Sequence, residues 1–556
     1  MKRITGALLL LCSLTTWAQE QPKQGILRGN FQFIAQQYSA DSLINATVPP
    51  SKAALNGFGN FTYTYGNVTA GWRLETYQNA LQGYSAQNRY KGTGIGNRYL
   101  TYADTTFEIT IGNFYEQFGN GLTLRTYWEP NLGIDNAMDG AKVVFRPAKG
   151  IALKGVFGRQ RLDFDNQIIH ADGIIRGVDG EIVINDLNKK WMSAKTRVTI
   201  GGNFVSRYQE GGSRFVDSLV FTIPDNVAMY SGRILLQRGG WMISGEYARK
   251  INDPSADNGY IYKEGQGIFL NSSYSKKGMG FNIMAKSIDN LSFRGDRNLK
   301  LFDVPLNYTP AITKQHTYNL ASTLYPYATP LTGEASFMLE AFYTIPKGSK
   351  LGGKYGTQIT ASYAAANSLD TTGLNGLQAY TESYNVNSLG FGKTKYVRDF
   401  NIEFKRKLTK EFQATYTFYY MEFNTKVTPV TSDFKGLLFA NIQVLELGYK
   451  ISKKDNIRIE LQEMHTKQDK GNWETIVVEY TRSPHWTLGV VNQYNSGNPV
   501  EAKKINYLFG TVGYINGPHR VTLGCGKRRE GVFCIGGVCR AVPATNGFEI
   551  SITSSF

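Results

Sequence analysis

The sequence predicts an all-β protein, a large antiparallel transmembrane β-barrel of roughly 22–26 strands, and three observations predict it. Apolar and polar residues alternate with period two in segment after segment. Short and long connections alternate between those segments. The composition is rich in Gly (59), Tyr (34) and Phe (31) and poor in Cys (4) and Pro (17) over 556 residues, which suits aromatic-bearing strands joined by Gly-containing turns.

Taken from the N-terminus, Met1-Lys2-Arg3 precedes an apolar run, Ala7 to Leu11, and then Thr16-Trp17-Ala18 stands before polar Gln19-Glu20. This charged, apolar, small-residue order is that of a secretory signal peptide, with cleavage expected after Ala18. Residues 1–18 are thus read as a leader and 19–556 as a single barrel domain. Cys12 raises a lipoprotein reading, but Leu11 stands where lipoprotein processing wants a small side chain. Beyond Ala18 no run of roughly 18 apolar residues could cross a bilayer as a helix. Strand-like sequence begins almost at once, at 25–39, 58–65 and 68–77, which leaves little room for an N-terminal globular plug.

Alternation is clearest where one face is charged. Ile457, Ile459 and Leu461 share a face opposite Arg458, Glu460 and Gln462; Phe400, Ile402 and Phe404 oppose Asn401, Glu403 and Lys405. A barrel strand turns one set to lipid and the other to the lumen. Glu403, Lys405, Arg458, Glu460 and Gln462 are therefore the lumen-facing candidates. Phe412, Ala414, Tyr416 and Phe418 repeat the pattern, as do Trp241, Ile243 and Tyr247, and Ile151, Leu153 and Phe157.

Tight turns are expected at 147–150, 239–240, 276–278, 407–410, 453–455, 483–484 and 516–518. Longer polar stretches separate them at 207–225, 251–262, 288–314, 366–394, 425–437, 496–503 and 528–546. Outer-membrane barrels place short turns in the periplasm and long loops outside, so the long stretches are expected to be external.

One segment, 112–140, departs from the pattern. It mixes Gly hinges, aromatics and both signs of charge: Glu116, Arg125, Glu129 and Asp135. Two readings stay open, an inward-folded constriction and an ordinary strand and loop. A nucleotide loop is excluded because no Gly-Lys-Ser/Thr follows.

At the other end, Phe548, Ile550, Ile552 and Phe556 stand at even spacing, as in the terminal strand that barrel-assembly machinery reads as an insertion signal. Cys534 and Cys539 bracket Ile535-Gly536-Gly537-Val538, a turn able to join them as a disulfide in an oxidising compartment. Cys525 shares the parity of Val521 and Leu523 and is expected to point outward.

The formal charge is +17, and removing Lys2 and Arg3 leaves +15. In an exported protein this favours outer-membrane lipids or anionic solutes over nucleic acid. The residues two places after the five histidines are Asp172, Tyr318, Lys467, Thr487 and Val521, none of them the Ser of a barrel lipase. No catalytic, cofactor-binding or metal set is expected.

The run Leu132-Gly133-Ile134-Asp135-Asn136 and the tail from Gly524-Cys525-Gly526-Lys527-Arg528-Arg529 through Cys539 to Phe556 resemble a family of Bacteroidota outer-membrane barrels of unknown function. The resemblance implies fold and location. Two function classes remain: a channel or transporter for polar or anionic solutes, and a non-catalytic scaffold or accessory subunit of an outer-membrane assembly or secretion complex, contacting other outer-membrane or periplasmic proteins.

Overall fold

The computed structural model describes residues 25–84, 89–216, 218–300, 303–427, 432–535 and 538–556. The expected leader, 1–18, lies outside them. Among the described residues there are thirty strands. The first ten are β1 (Ile26–Tyr38), β2 (Ala53–Tyr65), β3 (Val68–Gln78), β4 (Tyr90–Ala103), β5 (Phe107–Phe114), β6 (Trp128–Glu129), β7 (Ile134–Asp135), β8 (Met138–Ala148), β9 (Ile151–Asp165) and β10 (Ile168–Val183). Next come β11 (Thr196–Tyr208), β12 (Gly212–Val216), β13 (Leu219–Ile223), β14 (Asn226–Arg238), β15 (Trp241–Lys250), β16 (Gly265–Lys276), β17 (Met279–Asp289), β18 (Gly333–Ile345), β19 (Thr357–Gly373) and β20 (Tyr384–Lys407). The last are β21 (Phe412–Asn424), β22 (Leu437–Lys450), β23 (Asp455–His465), β24 (Trp473–Arg482), β25 (Trp486–Tyr494), β26 (Asn506–Asn516), β27 (His519–Arg528), β28 (Gly531–Ile535), β29 (Val538–Val542) and β30 (Thr545–Ser555).

Twenty-four of these form one up-and-down wall. β1 pairs with β2 on one side and β30 on the other, so the sheet closes on itself. The remaining six form three two-stranded pairs, β6–β7, β12–β13 and β28–β29. β5 and β8 are shorter than the flanking β4 and β9, which meet beyond them in a brief parallel pairing, Tyr90 with Phe164 and Lys91 with Asp165.

Period two explains why each segment takes its place. In β11, Ile200, Phe204 and Tyr208 point outward and are exposed, while Thr199, Asn203, Val205 and Arg207 point inward and are buried. Slipping this register by one residue would carry the Arg207 guanidinium into the apolar outer belt, at about 2–4 kcal/mol if it lies in lipid. Aromatic clusters mark the short-turn end of that belt. Trp241 packs on Tyr274 and Phe281 (centroids 4.9 and 5.3 Å), and Trp486 on Tyr514 (4.9 Å). At the closing seam the Phe556 ring covers Gly29, where a Cβ would stand 2.4 Å from it, and lies beside Phe31 (6.1 Å).

The turns expected at 147–150, 239–240, 276–278, 407–410, 453–455, 483–484 and 516–518 all fall between strands at one end of the barrel. Two longer connections, 184–195 and 346–356, share that end. The opposite end carries the long connections except at 166–167, a tight turn between β9 and β10.

Two of the long stretches differ from expectation. Residues 366–394 are mostly strand: β19 runs to Gly373 and β20 resumes at Tyr384, because three register shifts let the hairpin keep pairing while it bends. It leans toward neighbouring strands, Tyr384 Oη donating to Asp289 (2.6 Å) and Gln266 Nε2 to Ser388 Oγ (2.6 Å). Residues 288–314 do not form an external loop. The described residues of the β17–β18 connection fold into the barrel, because Leu291, Phe293, Leu306, Ile312 and Leu320 are fully or almost fully buried against the inner wall.

The core therefore lies in the lumen, and only in half of it. On β15 the inward side chains run from exposed Met242 through half-buried Ser244 to buried Glu246, Ala248 and Lys250. On β23 they run from half-buried Arg458 to buried Glu460, Gln462 and Met464. The short-turn half is wet and the long-loop half is packed.

Candidate functional site: the filled lumen

Two chain segments fill the packed half: 115–137, between β5 and β8, and the described residues of 290–332 (290–300 and 303–332), between β17 and β18. The first needs glycine to turn where it does. Gly133 sits at φ 69°, and a Cβ there would lie 1.8 Å from the Tyr84 carbonyl oxygen. Phe118, Leu122 and Leu124 are completely buried against inward apolar residues such as Val205 and Met229.

Its charges find partners on the wall. Asp135 is bound by Arg73 of β3 and by Arg161 Nη1 of β9 at 2.9 Å. Both guanidiniums also hold Glu75, Arg161 through Nη1 and Nη2 at 2.7 Å each and Arg73 through Nε at 2.7 Å. Tyr115 Oη donates to Asp135 Oδ1 (2.9 Å) and Tyr77 Oη to Glu75 Oε2 (2.9 Å). Two cations and two anions cancel, and all four are almost completely buried. Losing one member of such a set leaves an uncompensated charge, which costs about 3–5 kcal/mol. Burial, reinforced by the Asp135 charge, raises the Tyr115 phenol above its usual range, so it stays a donor. Burial pushes Tyr127 up to about 12.

Glu116 accepts from Lys154 Nζ (2.8 Å) and lies 3.6 Å from Lys142. Arg125 stacks on Tyr308 (3.9 Å to the ring centroid) and Tyr127 (5.0 Å), and its backbone N–H donates to the Leu306 carbonyl (2.6 Å). Glu129 stands apart: it is half-buried, accepts from the Asn131 N–H (3.1 Å) and joins no ion pair among the described residues. Further up the wall, Glu246 Oε2 accepts from Asn120 N and Nδ2, both at 2.8 Å.

The second segment crosses from one wall to the other. Near β9–β11 it accepts at the Gly295 carbonyl from Gly173 N (3.0 Å) and at the Arg294 carbonyl from Arg207 (3.0 Å). It touches the first segment through Tyr308 N to the Gly121 carbonyl (2.8 Å). It then reaches β23, where Leu320 N donates to Gln462 Oε1 (2.9 Å), and it is covered by Arg529, whose Nη2 donates to Asn319 (3.1 Å). A fully buried pair, Lys286 and Glu334 (2.9 Å), stands at the wall beside it, with Tyr327 donating to Glu334.

Of the lumen-facing candidates, Arg458, Glu460 and Gln462 come together. Arg458 pairs with Glu460, Glu446 (2.9 Å) and Glu479 (2.8 Å), and Gln462 donates to Glu460 (2.5 Å). One guanidinium against three carboxylates leaves this wall net negative. Glu403 is half-buried and Lys405 exposed, and neither joins an ion pair among the described residues.

Sequence reasoning missed Arg73, Glu75 and Arg161. The signal was present for Arg73 and Glu75, charges on the inward parity of β3, but not for Arg161, which shares the outward parity of Leu153 and Phe157 and is buried because the alternation of β9 breaks between Gln160 and Arg161, both of them buried. Phe548, Ile550 and Phe556 are exposed on the outer wall, and Cys525 is exposed. β28 and β29 set Cys534 opposite Cys539, but those two side chains lie outside the described residues. Among the described residues no group of three or more His, Cys, Asp or Glu could hold a metal ion, and no helix is long and apolar enough to cross a membrane.

The chain is similar to the siderophore receptor PirA from Pseudomonas aeruginosa, at 11% identity over 97% of this chain and 81% of that one, with a TM-score of 0.39. It is similar to the ferric enterobactin receptor PfeA from Pseudomonas aeruginosa (11%, 96% and 82%, TM-score 0.43) and to the outer membrane protein opdK from Pseudomonas aeruginosa (12%, 82% and 98%, TM-score 0.36). No curated protein matches it. One family model matches residues 1–556, and the chain belongs to the family of unknown function DUF6029.

Proposed function

We propose that this chain is an outer-membrane barrel for the transport of polar solutes, anionic ones among them, held shut at its long-loop half by segments 115–137 and 290–332. The observation that carries the reading is the division of the lumen into a wet half and a packed half, with the packing fastened by buried ion pairs. A barrel of this strand number would enclose a wide lumen if left empty. Here that space is taken by the chain's own segments, fixed by polar contacts that a ligand or partner could replace. The constriction role of Glu116, Arg125 and Asp135 belongs to this proposal. So do export by the 1–18 leader, insertion through the tail at Phe548, Ile550, Ile552 and Phe556, and an origin in Bacteroidota.

The same packing also favours a scaffold, in which the lumen is core and never opens. Conductance in planar lipid bilayers separates the two. The transport reading expects wild-type protein to be near silent, and Asp135→Ala protein to give steps that grow as 115–137 loosens. Large, steady steps from wild-type protein would overturn the shut resting state. Silence from every correctly folded unlatched variant would overturn transport and leave the scaffold.

A further inference from the structure

Between the second lumenal segment and the wall strands β20 and β21 lies a cavity of about 200 Å3. Lys314 and His316 of the segment line it, with Asp399 of β20, Tyr308, Tyr325 and Tyr327. Lys314 has no carboxylate within ion-pair distance among the described residues; its ammonium lies 3.4 Å from the Asn401 side-chain oxygen, at the long end of a hydrogen bond. The His316 side chain is only 6% exposed. Its Nε2 is 2.5 Å from Asp399 Oδ2 and its ring stands edge-on to Tyr419 at 4.7 Å. Its Nδ1 is buried with no hydrogen-bond partner among the described residues. Among the described residues, a buried imidazole nitrogen without a partner and an ammonium with one long hydrogen bond and no anion thus share one small cavity, two polar demands that a ligand can meet.

We infer that this cavity binds a small hydroxycarboxylate. Asp399 accepts from Nε2–H and so fixes the tautomer that leaves a lone pair on Nδ1. That lone pair accepts a ligand hydroxyl, Lys314 takes the carboxylate, and Val397 and Met421, which also line the cavity, face the carbon skeleton. Cavities of about 150 Å3 hold benzene, so this one suits roughly six to ten heavy atoms. The site rests on the transport reading for its role and not for its existence: it would name the class of solute that the shut barrel holds.

Calorimetric titration of the full-length folded protein in detergent tests it, with glycerate, propionate and glycerol as probes. Glycerate should bind, and propionate (no hydroxyl) and glycerol (no carboxylate) should each bind at least about tenfold more weakly. Lys314→Met should abolish the preference for glycerate over glycerol. His316→Leu, which removes the acceptor, should abolish the preference over propionate while leaving that over glycerol. Heat-modifiable migration on gels confirms that each variant is a closed barrel. Equal binding of the three probes, no glycerate binding by folded wild type, or an unchanged Lys314→Met profile would each overturn the site. If glycerate binds as described but no unlatched variant conducts, the site stands and transport falls; if conductance opens while glycerate fails, the reverse holds.

Discussion

The weight of the lumenal packing rests on a few charged side chains. Asp135 is the only acid of segment 115–137 placed between two buried guanidiniums. Asp135→Ala should destabilise the packed segment by about 3–5 kcal/mol, because Arg73 and Arg161 would then share one carboxylate. Limited proteolysis should show new cuts within 115–137 while the wall stays resistant, and unchanged protection would refute the latch. Of the constriction candidates, Asp135 and Glu116 found buried or half-buried cations, whereas Glu129 found only a nearby amide. The sequence could not rank them, because rank depends on which wall residues face each acid. A second expectation at this scale concerns the thiols. Denatured mature protein without reductant should offer one thiol to a maleimide, Cys525, and three after reduction; three in both cases would exclude the Cys534–Cys539 bridge.

Strands were legible because their pattern is local. Arg458, Glu460 and Gln462 declare their face by parity alone, and no distant residue can change it. Connections were not legible in the same way. Residues 288–314 look polar and Gly-bearing like any loop, yet Leu291, Phe293, Leu306 and Ile312 are too many large apolar residues for a chain bathed in solvent, and their destination is the inner wall. That excess was the signal. Replacing 290–332 by a short Gly/Ser linker should leave the wall closed, since each wall strand pairs with its neighbours independently of the segment. Heat-modifiable migration should persist and bilayer conductance should rise. Loss of the folded band would mean that the segment is structural core and not a removable gate.

For the whole molecule, closure depends on β1 meeting β30. Gly29 and Phe556 exchange backbone hydrogen bonds at 3.1 and 2.9 Å, and the ring packs over the seam. Phe556→Ala keeps the backbone bonds and removes the ring. If the tail is an insertion signal, assembly into liposomes carrying the barrel-assembly machinery should slow several-fold, while the unfolding temperature of protein already inserted should barely move. Equal slowing of spontaneous refolding into bare liposomes would argue for seam packing instead. Class and strand number were readable from the sequence because closure needs only many alternating segments; the half-filled lumen was not, because it depends on contacts between residues far apart, such as Arg125 with Leu306.

Cys525 on the outer wall turns the protein into its own depth gauge. Should Cys534 and Cys539 bridge and Cys12 leave with a leader, as the sequence leads one to expect, Cys525 would be the one thiol that a nitroxide reagent can reach, six residues along β27 from its short-turn end. At roughly 2.5 Å of height per tilted residue that places the label about 15 Å in, near the middle of the oily layer. There dissolved oxygen is plentiful and water-soluble nickel chelates are scarce. The ratio of the two relaxation rates would fix where the cylinder sits along the bilayer normal, without altering a single residue of the chain.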